Sequence, residues 1–505
     1  MRQRLLDQPF FILLSAIAGL VMYVPATHAL ALRSFGEARA FFYAGSLTLI
    51  LTVMVAIAMA STLRQRSAMR NLAALMAAFT LLPVILAVPF YEALATTTFL
   101  NSYVEMVSSM TTTGASLFEP ARLSPTLHLW RGMVGWLGGF LIWVAASAIL
   151  APLNLGGFEV TATAEPGQSE TRFNQGGQTD PQLRIFRVAV QLLPIYAGLT
   201  LAVWVLLLVL GDPPLVALMH GMAVLATSGI TPLGGGVGAA PSGLAGEVVI
   251  ALFLLFGLSR LTFSSDTITT ARRGIQHDPE FRLGVLLILG VTLLLFLRHY
   301  LASFQVVGQD SALAAVRALW GSMFTILSFL TTTGFESSTW DAARDWSGLG
   351  TSGIVLMALA LMGGGVATTA GGVKLLRVWA LYLHGLREMD RLVHPSSVGR
   401  AQGGGNRIAR RGAFHAWIFF MFFAMSLMVL TLTFAALGST FQQAMVLAIA
   451  ALTTTGPLVG SASAAPVVLI ELGATAKLIF CAGMVLGRLE LLALIALISS
   501  SDWRN

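Results

Sequence analysis

The chain has 505 residues, 56% of them hydrophobic and only 10% charged, with a mean hydropathy of +0.80. Soluble domains carry roughly 25% charge, so this composition excludes a string of globular domains and implies a membrane protein with many spans. The net charge of +7 sits in Arg2 and Arg4, in Arg64, Arg66 and Arg70, between Arg260 and Arg282, and from Lys374 to Arg411; with no aromatic-interleaved basic patch or zinc spacing beside it, it excludes nucleic acid as a partner.

Residues 1–69 come first. Arg2, Arg4 and the apolar run Pro9–Val24 have the outline of a secretory signal. That run reaches spanning length and a second span follows at once, so two N-terminal transmembrane helices are expected, about 9–32 and 39–61. Threading the spans in order puts the basic segments on one side, and the positive-inside bias makes that side, with the N-terminus, cytoplasmic.

A first unit is expected over 70–183. A helix near 71–90 leads outward, and a half-length segment with its tract fills 91–116, ending in Ser108-Ser109-Met110-Thr111-Thr112-Thr113-Gly114-Ala115-Ser116. A helix from about Leu127 to Leu150, containing Trp130–Gly139, returns inward. The polar stretch 151–183, with Glu159, Glu165, Glu170 and Asp180, reads as a cytoplasmic linker. A segment too short to cross the bilayer must enter and leave by one face, which marks a re-entrant pore helix. The negative end of its dipole then points at the membrane centre and favours a cation.

The pattern returns three times, giving fourfold pseudosymmetry. The second unit, 184–281, has a pore segment Pro214–Ala226, the tract 227–231 and a helix of about 244–264, then a charged turn at Arg272–Glu280. The third, 282–406, has Ser311–Leu330 and the tract 332–336. The fourth, 407–505, has Gly438–Leu452 and the tract 453–457. The third departs from the pattern. Its last apolar stretch, about Leu349 to Leu383, exceeds the roughly 20 residues a span needs, and Gly363-Gly364-Gly365-Val366-Ala367-Thr368-Thr369-Ala370-Gly371-Gly372 stands in its middle. Each Gly costs a helix interior about 1 kcal/mol. A helix broken at mid-membrane by a loop under the tracts is therefore expected, with close helix packing through small residues as the alternative. Lys374 follows Val373 and precedes Leu375, so the loop is no nucleotide-phosphate cradle, which needs Gly-Lys-Ser/Thr.

Thr111–Ser116, Trp130–Gly139, Thr331–Glu336, Gly363–Lys374, His394-Pro395 and Gly487-Arg488-Leu489-Glu490 together resemble the Trk/Ktr/HKT superfamily of potassium transporters, most closely its bacterial TrkH-like branch. The resemblance covers nearly the whole chain. It implies an all-α polytopic fold of four M1–pore helix–M2 repeats plus two extra N-terminal helices. It also implies a homodimer in the bacterial inner membrane, gated by a cytoplasmic nucleotide-binding ring of the TrkA kind. The expected activity is potassium uptake with no covalently bound cofactor. The alternative is a sodium-permeable or weakly selective transporter of the same fold. A membrane enzyme would need clustered His, Asp and Glu at membrane depth, and the eight His are scattered.

By analogy, potassium would be held by oxygens of Thr112, Thr113, Gly114; Thr227, Ser228, Gly229; Thr332, Thr333, Gly334; and Thr454, Thr455, Gly456, which replace its hydration shell. Sodium-preferring plant members tend to carry Ser at the first Gly position, so Gly114 favours potassium. Thr-Ser-Gly in the second tract and Pro457 after the fourth Gly depart from the family pattern. The resemblance makes Gly363, Gly364, Gly365, Thr368, Thr369, Gly371, Gly372, Lys374 and Arg488 a gate. An ionisable group inside a span is a functional candidate by default. Arg488 has structural pairing as its alternative reading, and Lys374 has anchoring at the cytoplasmic face. Glu490, two positions from Arg488, faces elsewhere. Glu119 and Glu336 are placed to concentrate cations or to be plain solvated charge. Trp130 and Trp340 are expected at the outer interface, Trp136 and Trp417 in packing. Cys481, the one cysteine, is expected as a small buried apolar residue.

Overall fold

The computed structural model describes residues 8–59, 68–153, 155–161, 181–259, 278–302, 312–394, 411–462, 467–491, 493 and 495. Arg2, Arg4, Arg64, Arg66, Glu165, Glu170, Asp180, Arg260, Arg272, Arg273, Pro395 and Gly403–Gly405 lie outside them. The described residues form helices and no strand, and eight helices are long and apolar enough to cross a membrane.

The N-terminal pair is α1 (Phe10–Val21) with α2 (Tyr23–Ala31), then α3 (Phe35–Ala58). Pro25 has no N–H for the carbonyl four residues back, and the helix of the first span is interrupted at Met22. Next come α4 (Ala68–Thr80) and α5 (Leu82–Leu94), divided in the same way at Leu81 ahead of Pro83. The short α6 (Phe99–Met110) and α7 (Pro125–Ala145) follow. Then come α8 (Pro181–Val209), the short α9 (Pro214–Ala226) and α10 (Gly243–Leu254), which tightens into a 3-10 turn over Leu255–Leu258. Beyond these lie α11 (Pro279–Ala302), α12 (Ala312–Leu330), α13 (Trp340–Ser347), α14 (Ser352–Met362) and α15 (Leu375–Val393). Last are α16 (Arg411–Ala436), the short α17 (Phe441–Leu452) and α18 (Ala474–Leu489).

The short helices have sharp starts. The Thr98 hydroxyl accepts from Asn101 N–H, Pro213-Pro214 opens α9, and Thr440 with Gln443 forms a capping box. Twelve residues rise about 18 Å, half or so of the hydrocarbon thickness. The pore segment expected from Tyr91 begins only at Phe99: residues 91–94 finish α5, which stops at left-handed Ala95. α12 passes the length test for a span, yet its first turns are exposed at Leu313 and Val316 while Phe324–Leu330 is buried.

Each tract's short helix packs on a helix contributed by the segment before it. α7 lies on α9, α10 on α12, α14 on α17, and α18 returns to α6. This closes a ring whose polarity is reversed from that of a soluble protein. Leu51, Met54 and Ile57 of α3 and Leu286, Leu289 and Leu293 of α11 are more than half exposed, whereas Thr111–Thr113, Thr331–Thr333 and Thr453–Thr455 are buried. Such a surface suits hydrocarbon and no aqueous phase. Trp130 and Trp340 are buried, against expectation, with the Trp130 indole donating to the Leu86 carbonyl. Trp417 is 49% exposed rather than packed. Cys481 is buried.

Candidate ion pathway

Tracts follow directly from α6, α9, α12 and α17. Their N–H groups turn back on the helix just completed. Those of Thr112, Thr113 and Gly114 donate to the carbonyls of Ser109, Ser108 and Ser108, and those of Thr332, Thr333 and Gly334 to Phe329, Ser328 and Ser328. Thr227 and Ser228 donate to Val224 and Ala223, Thr454 and Thr455 to Ala451 and Ala450. A trans peptide points its C=O opposite to its N–H. The carbonyls of Thr111, Thr112 and Thr113, of Thr331, Thr332 and Thr333, of Ala226 and Thr227, and of Thr453 and Thr454 therefore face away from the helices. This adds Thr111, Thr331 and Thr453 to the candidate oxygens that the sequence singled out.

Thr112, Thr227, Thr332 and Thr454 have φ of 55°, 47°, 57° and 52°, a region a β-branched residue occupies only under constraint. In three tracts the constraint is plain. The hydroxyls of Thr111, Thr331 and Thr453 bond the carbonyl four residues back at 2.8, 3.0 and 2.8 Å. They also meet the hydroxyls of Thr113, Thr333 and Thr455 at 2.8, 3.1 and 3.1 Å. The second tract has Ala226 at that position and lacks the link.

The four tracts touch in cyclic order. A Cβ on Gly114 would run into the Ser228 carbonyl, and one on Gly229 into that of Thr333. One on Gly334 would come within 2.9 Å of the Pro457 ring, and one on Gly456 would strike the backbone of Ala115. The Gly456 N–H also donates to the Thr113 carbonyl at 2.6 Å. All twelve residues are buried except Gly114, which is partly open. On the glycine side lies a cavity of about 620 Å³ lined by Gly114, Gly229, Gly334, Pro457, Arg131 and Glu336. Glu336 is half-buried there. Glu119 is exposed.

On the threonine side lies the Gly-rich loop between α14 and α15. Its ends are stitched by N–H bonds from Val373, Lys374 and Leu375 to the carbonyls of Leu361, Met362 and Gly364. Its crown reaches two tracts: the Gly371 N–H donates to the Thr332 hydroxyl at 2.7 Å, and the Thr227 hydroxyl to that of Thr369 at 3.2 Å. A Cβ on Gly371 would collide with the Thr453 carbonyl. The flanks are held elsewhere. Gly365 N–H donates to Gly257 at 3.0 Å and Val366 N–H to Glu280 Oε1 at 3.0 Å, while Gly363 and Gly372 pack backbone to backbone. The Thr368 hydroxyl bonds the Gly365 carbonyl at 2.7 Å. Arg488 reaches in from α18 and donates from Nη1 to the Thr369 carbonyl at 2.7 Å, its Nε and Nη2 having no hydrogen-bond partner among the described residues. Lys374 is buried and its ammonium donates to the Ala370 carbonyl within the loop, so it does not anchor at an aqueous face.

Comparison with known proteins bears on what such a ring does. The family model of the TrkH cation transport proteins matches residues 37–502. The chain belongs to the TrkH family. A Trk system potassium uptake protein TrkH from Salmonella typhimurium is 30% identical over 85% of this chain and 84% of its own. One from Vibrio parahaemolyticus is 29% identical over 80% of each. The crystal structure of the potassium transporter TrkH from Vibrio parahaemolyticus superposes with a TM-score of 0.80 at 25% identity, covering all of both chains. This TrkH-family chain is thus a multi-pass membrane protein of the cation-transport class, not an enzyme.

Sequence reasoning missed several buried charges of this TrkH-family chain. Glu105 of α6 pairs with Arg131 of α7 at 2.6 Å and accepts from Leu117 N–H at 2.9 Å. Glu490 pairs with Arg377 of α15 at 2.6 Å, and the Arg377 guanidinium lies 3.7 Å over the Phe419 ring. Glu247 and Glu280 hold backbone of other segments. One signal was available. Charges inside apolar runs are costly to bury without partners, and Glu105, Arg131, Glu247 and Arg377 stand in such runs as much as Arg488 and Lys374 do.

Proposed function

We propose that this chain takes up potassium across the bacterial inner membrane, its N-terminus in the cytoplasm, through a gated pore. The filter is made of backbone carbonyls from Thr112, Thr113, Gly114; Thr227, Ser228, Gly229; Thr332, Thr333, Gly334; and Thr454, Thr455, Gly456. The observation that carries the reading is that most tract N–H groups bond their own short helices, which turns the carbonyls of the same peptides away from those helices. A bare alkali ion needs such a cage in place of water. The names of the relatives, potassium uptake proteins, support potassium as the ion. The ion is the substrate, and the reading calls on no cofactor.

The gate in this reading is the Gly-rich loop with Arg488. The loop occupies the threonine side of the ring, and an Arg there opposes a cation by charge as well as by bulk. Opening then requires the bonds between Thr227 and Thr369 and between Gly371 and Thr332 to break. A homodimer controlled by a TrkA-like nucleotide-binding ring is part of the proposal, consistent with relatives named as members of a Trk system.

Potassium and sodium flux into liposomes holding only this protein tests the filter. Ser at Gly114 or Gly334 must adopt a left-handed φ, of +71° and +82°, and its Cβ must displace the Ser228 carbonyl or the Pro457 ring. Both variants are expected to lower potassium-over-sodium discrimination by about tenfold. Undiminished discrimination in both would remove the filter from these tracts.

A further inference from the structure

We propose that Glu247 is a positioning residue that holds the third tract in register from the neighbouring segment, and so sets ion discrimination. The inference rests on the filter reading above. Glu247 lies on α10, which belongs to the second tract's segment, and its side chain is fully buried. Its Oε2 accepts from the Ser337 hydroxyl at 2.6 Å and from the Trp320 indole N–H at 2.8 Å, and its Oε1 from the Ser338 N–H at 2.6 Å. Ser337 and Ser338 stand three and four positions beyond Gly334, and Trp320 is on α12, the helix that ends in that tract. One carboxylate thus ties both ends of the third tract's support to a different segment.

The exits of the first two tracts are held differently. Leu117, beyond the first tract, bonds Glu105 of its own short helix, and Glu105 is neutralised by Arg131. Thr231, beyond the second, meets Nε2 of His220 on its own helix at 3.0 Å. Glu247 has no Lys or Arg within ion-pair distance among the described residues, and the three groups that face it are all donors. Only a carboxylate accepts on both oxygens. An amide of the same shape turns an NH2 toward one of the donors and removes that donor's acceptor. The clamp has a second jaw. A Cβ on Gly238, just before α10, would come within 2.8 Å of Ser338, so the exit is gripped from two sides of the same segment. A shift of this loop moves Gly334 against Pro457, the contact between third and fourth tracts, and a cage of carbonyls discriminates ions by the number and placing of its oxygens.

The test uses the full-length protein in liposomes, with potassium and sodium fluxes measured separately, and a thermal melt of the solubilised protein. Glu247→Gln is expected to lower the potassium-to-sodium flux ratio by about tenfold. A merely structural Glu247 would lower both fluxes together with the melting midpoint and leave their ratio intact, which would overturn the proposal. Should Glu247→Gln not fold, Ser337→Ala and Trp320→Phe each remove one donor and keep the carboxylate; their ratio is expected to fall by about threefold. An unchanged ratio in every folded variant also overturns it. Wild-type protein that shows no potassium preference would instead bring down the filter reading itself, before any variant is compared.

Discussion

α7 and the stretch joining α14 to α15 are both rich in glycine, and they use it in opposite ways. α7 carries Gly132, Gly135, Gly138 and Gly139 and stays helical throughout. At three- and four-residue spacings these fall on one side of the helix, and each makes room for a neighbour. A Cβ on Gly138 would collide with the Met110 carbonyl at the end of α6. One on Gly139 would come within 2.9 Å of Ala226 at the end of α9. The helical cost of about 1 kcal/mol per Gly is offset by backbones packed where a side chain would hold them apart. From Gly363 to Gly372 the glycines are adjacent, at the two ends of the run, and the helix is abandoned. Gly363 and Gly372 take φ of 71° and 77°, and the loop's N–H groups find partners in Gly257 and Glu280 instead of the previous turn. Arrangement, more than content, decides between a tighter helix and none.

Substitutions on the two sides should separate these uses. Gly138→Ala is expected to have the largest effect, because the Met110 carbonyl it meets is backbone at the start of the first tract. A loss of about 3 kcal/mol or more should show as a lower yield of monodisperse protein and a lower melting midpoint, with no transport. Gly371→Ala meets backbone as well, at Thr453, but the loop can withdraw where a helix cannot. Folded protein is expected in normal amount, with potassium flux raised about tenfold in liposomes without a partner. An equal loss of folded protein in both variants would erase the distinction between packing glycine and loop glycine. Thr369→Val is the mildest. It keeps the shape and removes the hydroxyl that bonds Thr227 at 3.2 Å and the Leu225 carbonyl at 3.0 Å. Losing bonds of that strength should raise flux by about threefold, measured in the same liposomes.

Much of this was legible beforehand because the signals are local. Apolar runs ending in Thr and Gly mark the tract-bearing helices from neighbouring residues alone, and adjacent glycines break a helix wherever they stand. What failed depended on phase or on distant partners. Trp130 was expected at an interface, yet its helical face turns inward onto Leu86 and Phe41. The start of α6 moved from Tyr91 to Phe99 because α5 runs on through Pro89 to left-handed Ala95. The exclusion of Glu490 as a partner of Arg488 followed from helical geometry, but its actual partner, Arg377, lies 113 residues away.

By itself, then, the sequence determined the membrane setting, the four Thr/Ser-Gly tracts and the interrupted helix, since hydropathy and backbone preference are properties of neighbouring residues. Only the tertiary structure decided that the tracts touch in a closed order, that the loop bonds two of their hydroxyls, and that Glu247 reaches across to its neighbour's exit. Those contacts join residues far apart in the chain, and a buried polar group takes whichever partner the packed helices bring within about 3 Å.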